Sequence, residues 1–285
     1  MSEPFGGVRR LAVLGSPIAH SRSPQLHAAA YGVLGLPWEY SRADVPSGTL
    51  PRFLAELTPE WRGLSLTMPL KREVLPFLDS RSDAVESSGA ANTVLFADGG
   101  THGFNTDVAG IVGALGDHGI AEAGSVHLIG TGNTAASALL AVARLGARDV
   151  VVSGRSPDGL ADLERLGERI GIPTRTRRYG DAFEVVPDLV VNTLPGHADP
   201  DDVPEADAGG ALMEVPYDPW PTPRAARWAE RGALVANGLE MLLHQAVEQV
   251  RIFVTGAEGG ALEREAEVVA AMRTAVGLSD RAAGK

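Results

Sequence analysis

The chain has 285 residues, of which 44% are hydrophobic and 21% charged, and this balance is typical of a folded protein with two domains rather than of a disordered chain. Acidic residues outnumber basic ones by 36 to 25, and the formal charge of −11 argues against nucleic acid as a partner. The absence of cysteine excludes disulfides, thiolate nucleophiles and cysteine-bound zinc.

No stretch of the sequence has the pattern of a targeting peptide or a membrane span. The apolar part of VRRLAVLG (8–15) is only five residues long and leads straight into polar SPIAHSRSP, which is too short for a secretory signal. Residues 123–143 lack formal charge, but they contain Gly, Ser, Asn, Thr and His in a strand–turn–helix pattern. We therefore expect a cytoplasmic protein.

Short apolar runs alternate with amphipathic stretches, which predicts an α/β fold with a mostly parallel sheet. In chain order the pattern predicts a strand at 10–15, a helix near 23–34, a strand at 63–68, a helix near 71–78, a strand at 125–130 and a helix near 134–145. Residues 92–107 differ, because two alternating runs meet at Gly99 and Gly100. They predict an antiparallel hairpin with Asp98 opposite Thr101 and Asn92 opposite Asp107.

Two α/β series follow one another, so two domains are predicted. The boundary is placed after Asp107, before a helix at 108–119, since the second series begins at Ser125. The acidic, proline-bearing stretch 196–210 is predicted to be a surface loop. Two C-terminal helices, near 237–256 and 260–277, are expected to return to the first domain. That domain then comprises 1–107 with 238–285, and residues 108–237 form a Rossmann-type domain.

The run VHLIGTGNTAASALL (126–140) combines a strand, a glycine turn and a helix, with Gly130, Gly132 and Ala135 in the G-x-G-x-x-A spacing. The first glycine permits a tight turn, the second lets a pyrophosphate approach the backbone, and the helix N-terminus offers unpaired N–H groups. A second strand at 148–154 follows at βαβ spacing. We interpret the run as a dinucleotide-binding turn.

The end of the strand at 148–154 favours NADP over NAD. NAD-binding folds usually place Asp or Glu there to accept hydrogen bonds from the ribose hydroxyls. This chain has Arg155 and Ser156, and the planar guanidinium of an arginine can clamp a 2′-phosphate. A solvated surface arginine is the alternative interpretation, and Asp158 stands nearby.

Lysine is almost absent: of the 25 basic residues only Lys71 and the C-terminal Lys285 are lysines, and the others are arginines. Arginine keeps its proton near neutral pH, whereas a partly buried lysine can release it. A single internal lysine therefore indicates proton-transfer chemistry at Lys71, although chance retention of a surface lysine would explain it equally well.

Polar side chains are predicted to meet at the carboxyl ends of the first strands, where open α/β sheets bind ligands. They are Ser21, Ser23, Thr67, Lys71, Asn92 and Asp107. Each also has an ordinary structural explanation, such as Ser23 as the N-cap of a helix before Pro24. Taken together they predict a site for a small polyhydroxylated acid.

The chain resembles the shikimate dehydrogenase family over nearly its whole length. The motifs are GSPIAHSRSPQLH (15–27), SLTMPLK (65–71), GAANT (89–93), FNTD (104–107), LIGTGNTA (128–135), SGRS (153–156), YDPWPTP (217–223) and GLEMLLHQA (238–246). The resemblance implies reversible NADP-dependent reduction of 3-dehydroshikimate to shikimate in the pathway to aromatic amino acids. We expect a monomer or homodimer that binds no membrane.

The resemblance also implies roles for individual residues. Lys71 and Asp107 form the catalytic pair, and the substrate is held by Ser21, Ser23, Thr67, Asn92, Tyr217 and Gln245. The cofactor is held by Gly130, Gly132, Asn133, Thr134, Ala135, Arg155, Ser156, Thr193, Gly238 and Met241, with Met241 beneath the nicotinamide. His244 lies off the helix face that Met241 and Gln245 share, and it is interpreted as a core or surface histidine.

Three positions depart from the family pattern. Ser65 replaces an Asn of many relatives, Asn133 replaces a further Gly, and Gly159 replaces a second phosphate-binding Arg. The Ser-x-Ser pair favours shikimate over quinate, but a quinate or aminoshikimate dehydrogenase stays open as an alternative. A regulatory module without catalysis would lack Lys71 or Asp107, and methylene-tetrahydrofolate dehydrogenases do not match SRSPQLH or FNTD.

Overall fold

The computed structural model describes residues 7–179, 181, 187–196, 198 and 210–278, which divide into two compact units. Unit 1 contains the described residues up to Thr106 and from Gln245 onwards, and unit 2 contains those of Asp107–His244. The sequence pattern had placed the second boundary at Gly238. It lies at 244/245 instead because one continuous helix, Gly238–Thr255, contributes residues to both units.

Unit 1 is built on one six-stranded sheet. Its strands are β1 (Arg10–Gly15), β2 (Glu39–Asp44), β3 (Trp61–Leu66), β4 (Ser80–Arg81), β5 (Thr93–Ala97) and β6 (Gly100–Phe104), in the order β2-β1-β3-β5-β6-β4. β1 runs parallel to β2 and β3, whereas β5 runs antiparallel to β3 and β6. Its helices are α1 (Ser23–Leu34), α2 (Leu50–Ala55), α3 (Leu70–Glu73) and α4 (Asp83–Ser88).

The core of unit 1 explains why β1 and β3 read as apolar runs. Ala12, Leu14, Leu64 and Val94 have no exposed surface and belong to one hydrophobic cluster. A strand with neighbours on both sides and packed faces needs apolar residues at successive positions rather than in alternation. The runs of apolar residues in the sequence therefore predict these strands clearly.

The helix predicted near 71–78 is interrupted. Helix α3 ends at Glu73, and a 3₁₀ turn at Leu75–Phe77 follows. Pro76 lies in this turn, and a proline has no N–H with which to continue an α-helix. The interruption leaves Lys71 on a single helical turn next to the end of β3.

The hairpin is present, but its register differs from the predicted one. Ala97 pairs with Gly100, so the two turn residues are Asp98 (φ 50°) and Gly99 (φ 75°). A tight turn with positive φ at both central positions suits an Asp-Gly pair. The predicted pairing of Asp98 with Thr101 was therefore wrong.

Unit 2 is built on a second, fully parallel sheet. Its strands are β7 (Ser125–Ile129), β8 (Asp149–Gly154), β9 (Thr174–Arg178), β10 (Leu189–Asn192), β11 (Ala211–Glu214) and β12 (Leu234–Asn237), in the order β12-β11-β10-β7-β8-β9. Its helices are α5 (Asp107–Gly116), α6 (Asn133–Arg144), α7 (Pro157–Ile170) and α8 (Pro223–Glu230). This strand order is that of the doubly wound dinucleotide-binding fold.

The C-terminal region consists of α9 (Gly238–Thr255), shared by the two units, and α10 (Glu265–Ala275) in unit 1. The acidic loop predicted at 196–210 lies outside the described residues apart from 196, 198 and 210. Among the helices of the described ranges, none is long and apolar enough to cross a membrane.

Candidate active site

The loops after β1 and β3 are joined in unit 1 by backbone hydrogen bonds. The N–H of Ser16 donates to the carbonyl of Met68 at 3.0 Å, and the N–H of Thr67 donates to the carbonyl of Leu14 at 2.9 Å. Gly15 permits this close approach, because a Cβ there would stand 2.4 Å from Cγ2 of Thr67. The segments that hold the serine pair and Thr67 are thus neighbours.

Ser21 and Ser23 stand where β1 leads into α1. The N-cap of α1 is Arg22, and no side chain caps the helix, so the interpretation of Ser23 as the N-cap was wrong. Ser21 Oγ instead accepts from the N–H of Ser23 at 3.4 Å and donates to Ser23 Oγ at 3.3 Å. Ser23 is buried and Ser21 is half-buried. Two hydroxyl groups side by side can receive both oxygens of a carboxylate.

Asn92 is held in one orientation by its neighbours. Its Oδ1 accepts from the N–H of Thr106 and from Oγ1 of Thr93, both at 2.9 Å, and its Nδ2 donates to Oγ1 of Thr106 at 3.0 Å. Its own N–H donates to the carbonyl of Phe104. Asn92 therefore lies beside Thr106, and the predicted position opposite Asp107 was wrong, because the true hairpin register is shifted by two residues.

Lys71 is half-buried in α3. Its carbonyl accepts from the N–H of Ala91 at 2.9 Å, so its backbone is tied to the residue that precedes Asn92. Asp107 is 5% exposed, follows Thr106 in the chain and is the first residue of α5 in unit 2. Within unit 1, the serine pair, Thr67, Lys71 and Asn92 all belong to segments at the same edge of the sheet.

Helix α9 brings two glutamines to the same part of unit 1. Gln245, the predicted substrate residue, is 7% exposed and accepts from Oγ1 of Thr106 at 3.5 Å. Gln249, one turn later, was not predicted. Its Oε1 accepts from Ser65 at 2.9 Å, and its Nε2 donates to Thr93 at 3.0 Å. The i,i+4 spacing of two glutamines, which places them on one face of the helix, is the signal that could have found it.

Two buried histidines are kept uncharged by their surroundings. Burial lowers the pKa of His27 to about 3, and its ring lies between the hydroxyl of Tyr31 and Oε1 of Gln249. In unit 2, burial together with Arg177 and Arg224 lowers the pKa of His127 to about 3.

This arrangement predicts acid lability. Between pH 6.5 and 3 the unfolded chain binds protons at both histidines that the folded protein does not, so stability rises with pH across this window and is lost on acidification. Each histidine contributes about 1.4 kcal/mol per pH unit there. Urea midpoints at pH 7, 6 and 5 should fall steeply. The decrease of the urea midpoint per pH unit should be smaller in His27→Gln and in His127→Gln. It should be unchanged in His20→Gln, which replaces an exposed histidine.

The glycine turn of unit 2 has the geometry that a dinucleotide requires. Gly130 has φ 111°, and a Cβ there would stand 2.3 Å from Oγ1 of Thr193. Thr193 also donates to the carbonyl of Ile129 at 2.8 Å, which holds β7 and β10 together at this point. Apart from its chain neighbours, no atom of the described residues lies within 4 Å of the Cβ position of Gly132, and no side chain caps α6, which begins at Asn133. Open space before an uncapped helix start fits a pyrophosphate.

The segment after β8 is cationic. Arg155 is exposed and makes no ion pair with the part of the chain that the structure describes, Asp158 included. Arg178, also exposed, is paired with Gly154 at the neighbouring end of β9. Ser156 caps α7 by accepting from the N–H of Gly159 at 3.1 Å, and its hydroxyl proton remains for another acceptor. These groups fit a 2′-phosphate.

The presence of glycine at position 159 has a steric explanation. A Cβ there would lie 2.8 Å from both Cβ and Oγ1 of Thr131, the residue between the two glycines of the turn. The close packing of α7 on the glycine turn thus leaves no room at this position for the second arginine that the family resemblance leads one to expect.

We expect Gly159→Ala to lower the melting temperature, because overpacking costs about 1–3 kcal/mol and outweighs the better helix propensity of Ala. Gly116→Ala is the matched control: Gly116 is also a helical glycine of unit 2, and apart from its own helix no described atom lies within 4 Å of its Cβ position. Thermal unfolding measures the melting temperatures of the two variants, and that of Gly159→Ala should be the lower. Equal melting temperatures would contradict the steric explanation.

The remaining predicted cofactor and substrate residues of unit 2 follow β11 and β12. Tyr217 is half-buried after β11, and Met241 is buried in the first turns of α9. Gly238 begins α9, where a Cβ would meet the carbonyl of Val215 at 1.7 Å, so the backbones touch there. His244, interpreted as a core or surface residue, is partly buried and paired with Asp117 at 3.0 Å. Within the described ranges, no group of acidic or histidine residues could hold a metal ion.

Comparison with known proteins decides the family. A family model described as the shikimate dehydrogenase substrate binding domain matches residues 13–94. The shikimate dehydrogenase (NADP(+)) of Ignicoccus hospitalis is 33% identical over 252 residues, which are 85% of this chain and 92% of that protein. The enzyme of the same name from Thermus thermophilus is 36% identical over 250 residues, 86% of this chain and 92% of that protein. The chain belongs to the shikimate dehydrogenase family. The resemblance inferred from the sequence motifs is confirmed.

Solved structures extend the match over both units. The shikimate dehydrogenase of Mycobacterium tuberculosis is 36% identical with a TM-score of 0.79, covering 93% of this chain and 99% of that one. Shikimate 5-dehydrogenase from another strain of Thermus thermophilus, solved with NADP(H) and shikimate, is 32% identical with a TM-score of 0.74, covering 94% of this chain and 99% of that one. The two-domain α/β fold is that of the family.

Proposed function

We propose that this member of the shikimate dehydrogenase family is an NADP-dependent oxidoreductase that interconverts 3-dehydroshikimate and shikimate in the pathway to aromatic amino acids. The observation that supports it most is the edge of unit 1 described above. There the only internal lysine is tied to the segment of Asn92, and the serine pair and Thr67 stand on the adjoining loops.

Lys71 is the proton-transfer residue in this proposal. When bound, NADPH supplies the hydride that reduces the ketone. The ketone oxygen becomes an alkoxide as the hydride arrives, and Lys71 protonates it; in the reverse direction Lys71 takes the proton from the hydroxyl. Asp107 orients the ammonium group and balances its charge.

The other polar residues bind and orient the substrate. Ser21 and Ser23 donate to the carboxylate, since a carboxylate only accepts hydrogen bonds. Thr67, Asn92, Tyr217 and Gln245 hold the ring hydroxyls. Asn92 does so through Nδ2, because Oδ1 already accepts from Thr106 and Thr93.

The cofactor is held by unit 2 in this proposal. The glycine turn and the start of α6 (Gly130, Gly132, Asn133, Thr134 and Ala135) receive the pyrophosphate, and Arg155 with Ser156 receives the 2′-phosphate. Thr193, Gly238 and Met241 contact the nicotinamide half. We further propose a cytoplasmic protein, monomeric or homodimeric.

A substrate and cofactor panel tests the proposed function. The purified protein is incubated with shikimate, quinate or aminoshikimate and with NADP or NAD, and reduced cofactor is followed by absorbance. We expect the highest kcat/KM with shikimate and NADP. A higher value with quinate or aminoshikimate would assign the chain to that substrate, and no turnover with any of them would refute the proposal. Size-exclusion chromatography of the same preparation measures the oligomeric state.

A further inference from the structure

The start of helix α9 is closed by reciprocal side-chain hydrogen bonds. Oδ1 of Asn237, the residue before the helix, accepts from the N–H of Leu239 at 2.9 Å and from that of Glu240 at 3.0 Å. In return, Oε2 of Glu240 accepts from the N–H of Asn237 at 3.0 Å. Such a capping box satisfies backbone donors that a helix start otherwise leaves unpaired. The first turn of α9, residues 238–241, is thereby held in one backbone conformation.

The same carboxylate oxygen is bound from a second element of unit 2. Nε2 of His118, which follows helix α5, lies 2.8 Å from Oε2 of Glu240. An ionised carboxylate only accepts hydrogen bonds, so the imidazole is the donor. The side chains of His118 and Glu240 are 8% and 4% exposed, and a buried carboxylate is costly unless it is hydrogen-bonded. His118 therefore fixes the carboxylate that closes the start of α9.

The first turn of α9 also meets the end of strand β11. The backbone of Gly238 touches the carbonyl of Val215, since a Cβ at position 238 would stand 1.7 Å from that oxygen. Val215 is itself tied to β10, because its N–H donates to the carbonyl of Asn192 at 3.0 Å. Met241, the last residue of the turn, is 7% exposed. The turn that carries Met241 is thus fixed by two other elements of unit 2.

The two helix starts that the proposed function assigns to the cofactor use their N–H groups differently. No side chain caps α6, so its first N–H groups remain for a pyrophosphate. At α9, by contrast, the N–H groups of Leu239 and Glu240 already donate to Asn237. The start of α9 therefore holds its own geometry rather than binding an anion, which suits contact with the nicotinamide ring.

We propose that His118 is a positioning residue that holds the first turn of α9, and with it Met241, for contact with the nicotinamide. It acts through the carboxylate of Glu240. This inference rests on the proposed function, in which Gly238 and Met241 contact the nicotinamide half of the cofactor.

His118→Leu tests this proposal, because leucine fills a buried position and removes the N–H donor. We expect the Kd for NADP to rise about tenfold, as the loss of one hydrogen bond to a buried carboxylate implies. The Kd for 2′,5′-ADP should stay within twofold, because this fragment lacks the nicotinamide half. Isothermal titration calorimetry measures both constants. Equal losses for NADP and the fragment, or no loss for NADP, would overturn the proposal.

His118→Gln tests whether the N–H donor is the group that matters, since the glutamine amide can take the place of Nε2. Its Kd for NADP should lie within threefold of the original value, and a Kd as high as that of His118→Leu would contradict the proposal. If His118→Leu does not fold, His118→Asn replaces it, because the shorter amide does not reach Glu240. The same tenfold rise is then expected, and an unchanged Kd refutes the proposal.

Asp117→Ala is the matched control. Asp117 adjoins His118 and pairs with His244, one turn after Glu240 in α9, at 3.0 Å. These two side chains are 22–23% exposed, so water screens their pairing and it contributes less. The Kd for NADP should stay within twofold in this variant. A rise as large as that in His118→Leu would show that any contact between α5 and α9 has the same effect, and would refute the specific role of His118.

A double variant tests the route by which His118 acts. In a Met241→Ala background, His118→Leu should raise the Kd for NADP by less than a further twofold, since its effect acts through the turn that carries Met241. A further tenfold rise would contradict the proposal. Failure of the proposed function is distinguishable, because the unsubstituted protein would then not turn over shikimate, whereas the binding of NADP is measured without turnover.

Discussion

Replacing Lys71 with methionine lowers kcat for shikimate oxidation by about 10²–10⁴, the usual contribution of a general acid–base group. Methionine has similar length and no proton to transfer, so shape is preserved while the chemistry is lost. The half-buried position of Lys71 and its backbone bond to Ala91 are unaffected by the change. Steady-state kinetics with saturating shikimate and NADP measures kcat, and titration of NADP by fluorescence should show an unchanged Kd.

Two companion variants separate proton transfer from charge. Lys71→Arg keeps a cation that does not release its proton near neutral pH, and it should lose nearly as much kcat as Lys71→Met. Arg72→Met removes the neighbouring exposed cation of the same helical turn and should leave kcat within twofold. Full activity of Lys71→Arg would show that the site needs only a positive charge.

Replacing Arg155 with alanine raises KM for NADP by about 10- to 100-fold and leaves KM for NAD within twofold. Hydrogen bonds between charged partners contribute about 1.5–3 kcal/mol, which corresponds to a loss of this size. Arg155 forms no ion pair with the described part of the chain that would have to be broken first. The preference for NADP over NAD should therefore fall by the same factor.

Calorimetry with cofactor fragments localises the effect. Arg155→Ala should weaken binding of 2′,5′-ADP and not that of 5′-AMP, which lacks the 2′-phosphate. Arg165→Ala, which removes an exposed arginine of the helix α7 that follows Arg155, is the control and should bind both fragments as before. Equal losses for the two fragments would mean that Arg155 contacts another part of the nucleotide.

The strength of local signals explains which parts of the fold the sequence could predict. Strands β1 and β8 are largely buried in their sheets, and their apolar runs LAVL and VVV are continuous and easily recognised. Strands β3 and β7 are also largely buried, but Ser65 and His127 interrupt their apolar residues. The predicted hairpin register was wrong because two overlapping pairs of residues, Asp98-Gly99 and Gly99-Gly100, can each form the turn. A shift of that kind moves every pairing, which is why Asn92 was placed opposite Asp107.

The sequence by itself determined the chemical groups of this protein: a single internal lysine, a pair of serines after the first strand, a glycine turn and an arginine where NAD-binding folds carry an acid. Each of these signals is confined to a few neighbouring residues, so no tertiary contact is needed to recognise it. Only the tertiary structure decided how the groups are held. Tyr40 and Ser65 are 25 residues apart in the chain and meet through a part-buried hydrogen bond, and Ser65 and Gln249 are 184 apart and meet through a buried one. Partners of that kind are selected by the packing of a sheet against a distant helix, which no local pattern encodes.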